Sequence, residues 1–221
     1  MEVQEVSIGV LIVDDHKIMR EGLKALLENK DGLNVVGEAD NGRAAVQLAH
    51  ELSPDVILMD LTMPEMNGID ATRRIVGECP AVRVLALSMH SDRRYIEEAL
   101  AAGASGFLLK DCAFDELVGA IREVADDRFY LSPRIAGVVV RGYLGKRGRT
   151  EAPSVGRLTP REREVLQLIA EGKNTKEVAF SLNVSAKTVE TQRVQIMRKL
   201  GTTSIAELTK YAIREGLTTL D

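Results

Sequence analysis

The sequence predicts an α/β protein with a five-stranded parallel sheet in its front half and a small all-α domain in its rear half. Three observations support this. Short apolar runs alternate five times with amphipathic segments in the front half, the rear half shows only helical periodicity, and a Gly-rich, charged segment at 145–156 separates them. Successive strand–helix units imply right-handed crossovers, with helices on both faces of the sheet.

The five predicted strands are apolar runs bounded by polar or turn-forming residues, a pattern typical of strands buried on both faces. They cover residues 8–13, 33–38, 55–59, 82–87 and 105–109. Helical spacing of apolar residues predicts five intervening helices. These cover residues 18–27, 42–52, 67–76, 91–102 and 113–125. One more helix is predicted at 133–144, where Ile135, Val138, Val139 and Tyr143 recur at roughly helical spacing.

The rear half predicts four helices, and the first has a clear start. Thr159 at the N-cap, Pro160 at the first helical position and Glu162 at the third form a capping box. The other three helices cover Lys176 to Leu182, Ala186 to Leu200 after Ser185 as N-cap, and Ser204 to Glu215. Two short helices joined by a tight turn, with a polar face on the second, indicate a helix-turn-helix.

These elements divide the chain into a front domain at 1–127, a linker at 128–156 that is flexible over 145–156, and a rear domain at 157–221. Charge follows the same division. Residues 1–126 carry 23 acidic against 12 basic side chains, whereas residues 157–221 carry 8 against 11. A mildly basic rear domain is compatible with nucleic-acid contact.

Composition bears on location and redox state. No stretch approaches the ~20 apolar residues of a transmembrane helix, and the amino terminus lacks the pattern of a signal peptide, so a cytoplasmic protein is expected. Cys79 and Cys112 are far apart and lack the spacing of paired metal ligands. Both are therefore expected to be reduced thiols without a functional role.

Four of the predicted strands end on polar residues that can share one site. Asp14 and Asp15 follow the first strand, Asp60 the third, Ser88 the fourth and Lys110 the fifth. Open α/β sheets bind ligands beyond the carboxyl ends of their strands. Clustered carboxylates without a nearby His or Cys suit a hard cation such as Mg²⁺. A carboxylate can also attack phosphorus to form an acyl phosphate, with Lys110 and Ser88 contacting the phosphoryl oxygens.

These motifs resemble the receiver domain of bacterial two-component response regulators. The matching segments are Val13-Asp14-Asp15-His16, Met59-Asp60-Leu61-Thr62-Met63-Pro64 with Asn67-Gly68, Leu87-Ser88 and Leu109-Lys110. The resemblance implies a flavodoxin-like sheet order, phosphorylation on Asp60, and Mg²⁺ held by Asp14 or Asp15, by Asp60 and by the Thr62 carbonyl. It implies no conventional enzyme activity beyond Mg²⁺-dependent phosphorylation and dephosphorylation of Asp60.

The rear half resembles the LuxR-type helix-turn-helix. Matching segments are Leu158-Thr159-Pro160-Arg161-Glu162-Arg163-Glu164-Val165-Leu166, Lys176-Glu177-Val178-Ala179, Thr188-Val189 and Lys199-Leu200. The order of the two domains is that of the NarL/FixJ group of response regulators. This resemblance implies a sensor histidine kinase and double-stranded DNA as partners, a homodimer after phosphorylation that meets two half-sites, and RNA polymerase as a further contact.

Ser88 and Phe107 resemble the family's switch pair, in which a hydroxyl moves toward the phosphoryl group and an aromatic side chain changes rotamer. Phe107 lacks the hydroxyl that Tyr often supplies there, so its readout is expected to depend on packing. Alternatively, Phe107 is an ordinary core residue. Met89 is bulkier than the small residue common after the switch hydroxyl and is expected to narrow access to the phosphoryl group.

The second helix of the helix-turn-helix is the predicted recognition element. The candidate DNA contacts are Lys176, Lys187, Thr188, Glu190, Thr191, Gln192, Val194, Gln195 and Arg198, whereas Val189, Ile196 and Leu200 are predicted to pack inside. Family members commonly have Lys in place of Glu190 and His in place of Gln192. Loss of a cation weakens backbone affinity, while Glu accepts from cytosine and Gln pairs with adenine, so an unusual sequence preference is expected.

Four alternatives stay open on the sequence alone. A haloacid-dehalogenase-type phosphatase also uses a strand-end Asp but needs a second acid where this chain has Thr62. A quorum-sensing regulator shares the rear domain but carries a ligand pocket instead of Asp14, Asp15, Asp60 and Lys110. An atypical receiver would switch by partner binding without phosphorylation. The fourth is a partner-binding regulator whose rear domain, carrying Glu190, has lost DNA binding.

Overall fold

The computed structural model describes residues 7–89, 91–145 and 158–218. They form two units, with residues 7–63, 67–89 and 91–145 in the first and residues 64–66 and 158–218 in the second. Most of the flexible linker predicted at 145–156 lies outside the described residues. Within the described residues, no helix is long and apolar enough to span a membrane.

The first unit contains a parallel sheet of six strands in the order β2-β1-β3-β4-β5-β6. The strands are β1 (Ile8–Val13), β2 (Leu33–Ala39), β3 (Val56–Asp60), β4 (Arg83–Ser88), β5 (Gly106–Leu109) and β6 (Tyr130–Leu131). The α/β class and the order of the first five strands are as predicted. Strand β6 was not predicted, because two residues are too short to show a strand pattern. Tyr130 and Leu131 pair with Gly106 and Phe107 of β5.

Helices cover both faces of this sheet. They are α1 (Lys17–Leu27), α2 (Gly42–Leu52), α3 (Gly68–Glu78), α4 (Arg93–Ala101), α5 (Phe114–Ala125) and α6 (Pro133–Gly145). Helix α6 occupies the segment for which 133–144 was predicted. Strands β1, β3 and β4 are buried almost throughout, which explains their continuous apolar sequences.

The winding of the sheet reverses at β1. The chain runs from β1 to β2 on one side and then returns to β3 on the other side of β1. Val13 pairs with Met59, and Asp60 pairs with Leu87, so the carboxyl ends of β1, β3 and β4 lie at one edge. A crevice of this kind is where open α/β sheets bind ligands.

The second unit is a set of four helices around its own apolar core. They are α7 (Pro160–Ala170), α8 (Thr175–Ser181), α9 (Ala186–Leu200) and α10 (Ile205–Arg214). The core includes Val165, Leu168, Val178, Ile196 and Leu208. The capping box predicted for α7 is present, with the Thr159 side chain accepting from the Glu162 backbone N–H and the Glu162 carboxylate accepting from the Thr159 N–H.

Helix α8 begins one residue before its predicted start. Asn174 caps it through a second capping box with Glu177, which was not predicted because Asn stands where the usual capping-box pattern has Ser or Thr. Asn183 in the turn between α8 and α9 has φ of 51°, a left-handed conformation that Asn tolerates better than most residues. Gly201 ends α9 in the same region, with φ of 67°.

Candidate functional site

The polar residues predicted to converge lie at the carboxyl edge of the first unit's sheet. Asp14 follows β1, Asp60 ends β3, Ser88 ends β4 and Lys110 follows β5. The side chains of Asp14, Asp60 and Ser88 are almost fully buried, although each belongs to a residue type that prefers water. They lie at this edge of the sheet because, in each strand, a buried apolar run comes directly before the polar residue.

Lys110 pairs with two carboxylates at once. Its Nζ lies 2.6 Å from Asp14 Oδ2 and 2.8 Å from Asp60 Oδ2, and the Lys110 side chain is only 5% exposed. The Lys110 backbone N–H donates to the Ser88 carbonyl at 2.9 Å, which fixes the strand end that carries the amine. The structure therefore brings Asp14, Asp60 and Lys110 into one buried ion cluster.

The backbone after β3 wraps tightly around Asp60. The Thr62 N–H donates to Asp60 Oδ1 at 3.3 Å, and the Gly68 N–H donates to the Leu61 carbonyl at 3.0 Å. Asn67 caps α3 by accepting from the Asp70 N–H at 2.9 Å. These contacts hold one Asp60 oxygen toward the loop, while the other faces Lys110.

Burial controls the charge of Asp60. Loss of hydration raises the pKa of Asp60 from 3.8 to about 6, although the Lys110 charge and hydrogen bond act in the opposite direction. Burial acts to lower the pKa of Lys110, but the charge of Asp60 and hydrogen bonds to both acids outweigh it and raise the pKa. Asp60 is thus a carboxylate that is poorly solvated and held ionised at neutral pH by a neighbouring cation.

Asp14, Asp15, Asp60 and His16 could together hold a metal ion. Each offers one ligand atom, and these atoms all lie within 4.8 Å of one another. Asp14 Oδ2 and Asp15 Oδ1 are buried oxygens, and they lie 2.6 Å from Lys110 Nζ and 2.9 Å from His16 Nδ1, respectively. A cluster of carboxylate oxygens fits a hard, oxygen-preferring cation such as Mg²⁺.

The expectation that no histidine lies near the acids is wrong. His16 Nδ1 lies 3.2 Å from Asp14 Oδ1 and 2.9 Å from Asp15 Oδ1. Its backbone N–H also donates to Asp14 Oδ1 at 2.9 Å. Its position two residues after Asp14 was the available signal. The imidazole is 72% exposed, so it can turn away without breaking a packed contact.

Two further features of the pocket were not predicted. Arg20 Nη1 donates to the Asp14 carbonyl at 2.6 Å, tying α1 to the end of β1. Arg20 lies one helical turn into α1, and nothing in its sequence context distinguishes it from a surface arginine. Gly68 packs against the Asp60 backbone. Its role is to let the start of α3 approach this backbone closely, because a Cβ atom would not fit there.

Ser88 and Phe107 lie on adjacent strands, where Phe107 pairs with Ala86 and Ser88 pairs with Leu109. Phe107 is completely buried among Leu61, Ile96 and Ile135. The second predicted switch residue therefore contacts core side chains from several elements. Met89 is 72% exposed.

The predicted DNA-contact residues lie on α8 and α9 of the second unit. All of them except Gln192 are exposed, whereas Val189 and Ile196 are buried and Leu200 is partly buried against the core, as predicted. At the carboxyl end of α9, Lys199 Nζ contacts Glu162 Oε2 at 2.6 Å. That pair ties the end of α9 to the start of α7.

Two family models match the chain. The model of the response regulator receiver domain matches residues 10–122. The model of the bacterial regulatory proteins of the luxR family matches residues 156–212. The first match includes Asp14, Asp60, Ser88 and Lys110, and the second includes the whole of α9.

Similar proteins span nearly the full length of the chain. The transcriptional regulatory protein MctR of Rhizobium johnstonii is 38% identical over 211 residues, which cover 96% of this chain and 95% of MctR. RcsB of Salmonella enterica serovar Typhimurium, bound to the promoter rprA in the presence of the phosphomimetic BeF₃⁻, is 29% identical with a TM-score of 0.59, over 93% of this chain and 98% of RcsB. A structure of two RcsB dimers on two parallel DNAs is 28% identical, with a TM-score of 0.57 over 93% and 97% of the respective chains.

Proposed function

Because this chain belongs to the response regulators that join a receiver domain to a LuxR-type DNA-binding domain, we propose that it is switched by phosphorylation of Asp60 and regulates transcription as a DNA-bound dimer. The phosphoryl donor is a sensor histidine kinase. The observation that carries the proposal is the Asp60 carboxylate, which is buried at a strand end 2.8 Å from the Lys110 amine, while Asp14 lies 2.6 Å from the same amine.

Phosphorylation is a transfer between two proteins. An Asp60 carboxylate oxygen attacks phosphorus, the bond from phosphorus to the kinase imidazole nitrogen breaks, and the imidazole leaves with its electron pair. Asp60 must be ionised to attack, and its poor solvation leaves the oxygen less shielded by water. The Lys110 amine offsets the negative charge of the incoming phosphoryl oxygens, and the Ser88 hydroxyl moves toward these oxygens.

The cofactor proposed for this site is Mg²⁺. Asp14, Asp15, Asp60 and the Thr62 carbonyl would hold it, since the ligand atoms of the three acids lie within 4.8 Å of one another. When bound, the ion draws negative charge from the phosphoryl oxygens. His16 swings off Asp14 and Asp15 to leave their oxygens free, which its exposed position permits.

Phe107 is proposed as the readout within the receiver domain. Its neighbours include Leu61 beside the Asp60 loop and Ile96 of α4. When the Ser88 hydroxyl moves, the space that it leaves lets Phe107 change rotamer and lets α4 adjust. Since Phe107 has no hydroxyl, this readout depends only on packing.

The rear domain supplies the output. Helix α9 is the recognition helix, and the exposed residues predicted from the sequence are its contacts with bases and phosphates. Two recognition helices in a dimer meet half-sites about one helical turn apart. The RcsB relative bound to its promoter with a phosphomimetic, and the one crystallised as dimers on DNA, support this part of the proposal.

Domain boundaries at 127 and 157 place α6 and the following segment in a linker, and RNA polymerase is a further partner of the bound dimer. The cytoplasmic location expected from the sequence goes with this role.

The decisive experiment measures covalent modification and assembly together. The full chain is incubated with Mg²⁺ and acetyl phosphate, beside an Asp60→Asn variant, and intact mass and light scattering are recorded. A gain of one phosphoryl group that the variant lacks, together with a larger particle, is expected. Stoichiometric labelling of the variant would reject Asp60. No labelling of a folded protein that binds Mg²⁺ would favour the atypical receiver, switched by a partner.

A further inference from the structure

The exposed face of α9 contains an apolar patch between two cations. With 3.6 residues per turn, Lys187, Thr191, Val194 and Arg198 fall within about 60° of one another around the helix. All four are exposed, and Val194 is 61% exposed. They form one line along the face opposite the buried residues Val189 and Ile196.

The hydroxyl of Thr191 is already occupied. Its Oγ1 donates to the Lys187 carbonyl at 2.9 Å, one turn back along the same helix. A base therefore meets chiefly the Cγ2 methyl of Thr191. Val194, three residues later, adds two more methyl groups, and side chains at this spacing are neighbours on a helix surface.

Packing within the domain does not account for Val194. Its side chain is largely in water, and a β-branched residue is a weaker helix former than Ala, Lys or Arg at an exposed position. A helix that enters the major groove meets mostly hydrogen-bonding groups on the base edges. The apolar group presented there is the C5-methyl group of thymine.

We propose that Thr191 and Val194 form a methyl-reading pair that selects thymine in the operator. The inference rests on the proposed DNA-binding function and adds a base to it. Lys187 and Arg198 are about 16 Å apart along the helix, one at each end of this line. Their long side chains can reach backbone phosphates, and the methyl pair between them faces the base edges.

Replacing thymine by uracil tests this directly, because uracil differs only in lacking the C5-methyl group. Duplexes that bind the full chain, with and without acetyl phosphate, are enriched from a random pool. Each thymine of the best duplex is then changed to uracil in turn. At the contacted thymine, binding is expected to weaken about fourfold, which corresponds to the ~0.8 kcal/mol of one buried methyl-sized group.

Three variants test which side chains contact the thymine methyl group. Val194→Ala shortens the valine, and Thr191→Ser removes the methyl group and keeps the hydroxyl. In either variant the fourfold loss of binding on changing that thymine to uracil is expected to shrink toward no loss. Val140→Ala changes an exposed valine of α6 and should keep the full penalty.

The outcomes separate the two levels of the proposal. If duplexes are enriched but uracil and thymine bind equally at every position, the methyl-reading pair is wrong and DNA binding stands. The methyl-reading pair is also wrong if the uracil penalty is unchanged in Val194→Ala and Thr191→Ser. If neither form of the full chain enriches any duplex, DNA binding fails and the methyl-reading pair fails with it.

Discussion

Gly68 lies so close to Asp60 that no side chain fits between them. A Cβ atom built on Gly68 would overlap the Asp60 carbonyl oxygen and would lie 2.9 Å from the Cα atom of Leu61. Both neighbours are backbone, so neither can rotate away. The first residue of α3 is therefore in direct contact with the strand end that carries Asp60.

Gly68→Ala is expected to destabilise the first unit by about 1–3 kcal/mol, because the added methyl must push the Asp60 loop away from α3. The displaced loop should also slow labelling of Asp60 by acetyl phosphate. Urea unfolding and intact mass measure the two effects. Gly77→Ala is the matched control: it lies in the same helix with nothing within 4 Å of its built Cβ, and it should be neutral or up to ~1 kcal/mol stabilising. Equal stabilities for the two variants would contradict the close-contact argument.

Asp60 lowers the stability of the protein at neutral pH. Its pKa is raised from 3.8 to about 6 by burial, so between these pH values the folded state binds more protons than the unfolded state. Stability contributed by the protonated acid is present below pH ~4 and is lost as pH rises to about 6. Above that, the buried ionised carboxylate carries a cost.

Asp60→Asn should therefore raise the free energy of unfolding at pH 7.5 by on the order of 1–3 kcal/mol in buffer with a chelator. The gain should shrink as pH falls toward 4, since the wild-type acid then becomes neutral as well. Urea unfolding across this range measures it. Asp31→Asn removes an exposed charge and should change stability by less than about 0.5 kcal/mol at every pH. A pH-independent gain would mean that desolvation of Asp60 is not the cause.

Lys110→Gln should raise the pKa of Asp60 above its value of about 6, because the charge and hydrogen bond that lower that pKa are lost. Less of Asp60 is then ionised at pH 7, and the pH profile of labelling should move to higher pH. The pKa is measured by carboxyl-carbon NMR without metal, and the profile by intact mass. Lys30→Gln, which removes an amine paired with the exposed carboxylate of Asp115, should leave both unchanged. An unshifted pKa in the Lys110 variant would mean that the pairing in this structure contributes little.

The sequence predicts the strands of the first unit well because buried parallel strands need continuous apolar runs, as in Val56 to Met59. It predicts Asp60 and Lys110 because a polar residue directly after such a run must lie at the sheet edge. It fails where the signal is short or depends on spatial proximity. Tyr130–Leu131 is too brief for a pattern, and the contacts of His16 and Arg20 with Asp14 depend on how α1 leaves β1.

In the rear domain, Glu162 connects the start of α7 to the end of α9. Burial acts to raise its pKa, but hydrogen bonds from Lys199 and from Thr159 outweigh burial and lower it. Such a depressed pKa contributes stability above the ordinary pKa of glutamate, and this contribution is lost as pH falls through the folded value.

The Glu162–Lys199 pair should show a coupling of about 1 kcal/mol in a double-mutant cycle with alanine, because Lys199 is 39% exposed and water screens the interaction. Glu162→Ala alone should cost more than Lys199→Ala, since it also removes the acceptor of the Thr159 N–H. Unfolding at pH 7 and pH 4 measures both. Equal costs for the two single variants, or a coupling that is as large at pH 4 as at pH 7, would contradict this account.

Glu190 opposes DNA binding through charge, since it is exposed on α9 between Lys187 and Thr191. Glu190→Lys should tighten binding to random-sequence duplex and should steepen the slope of log K against log salt by about 1, the effect of one added phosphate contact. Fluorescence anisotropy between low and moderate salt measures it. Glu51→Lys makes the same change in net charge on α2 and should leave the slope unaltered. If both variants steepen the slope equally, the effect of Glu190 is one of overall charge, and α9 is not the element that approaches the phosphates.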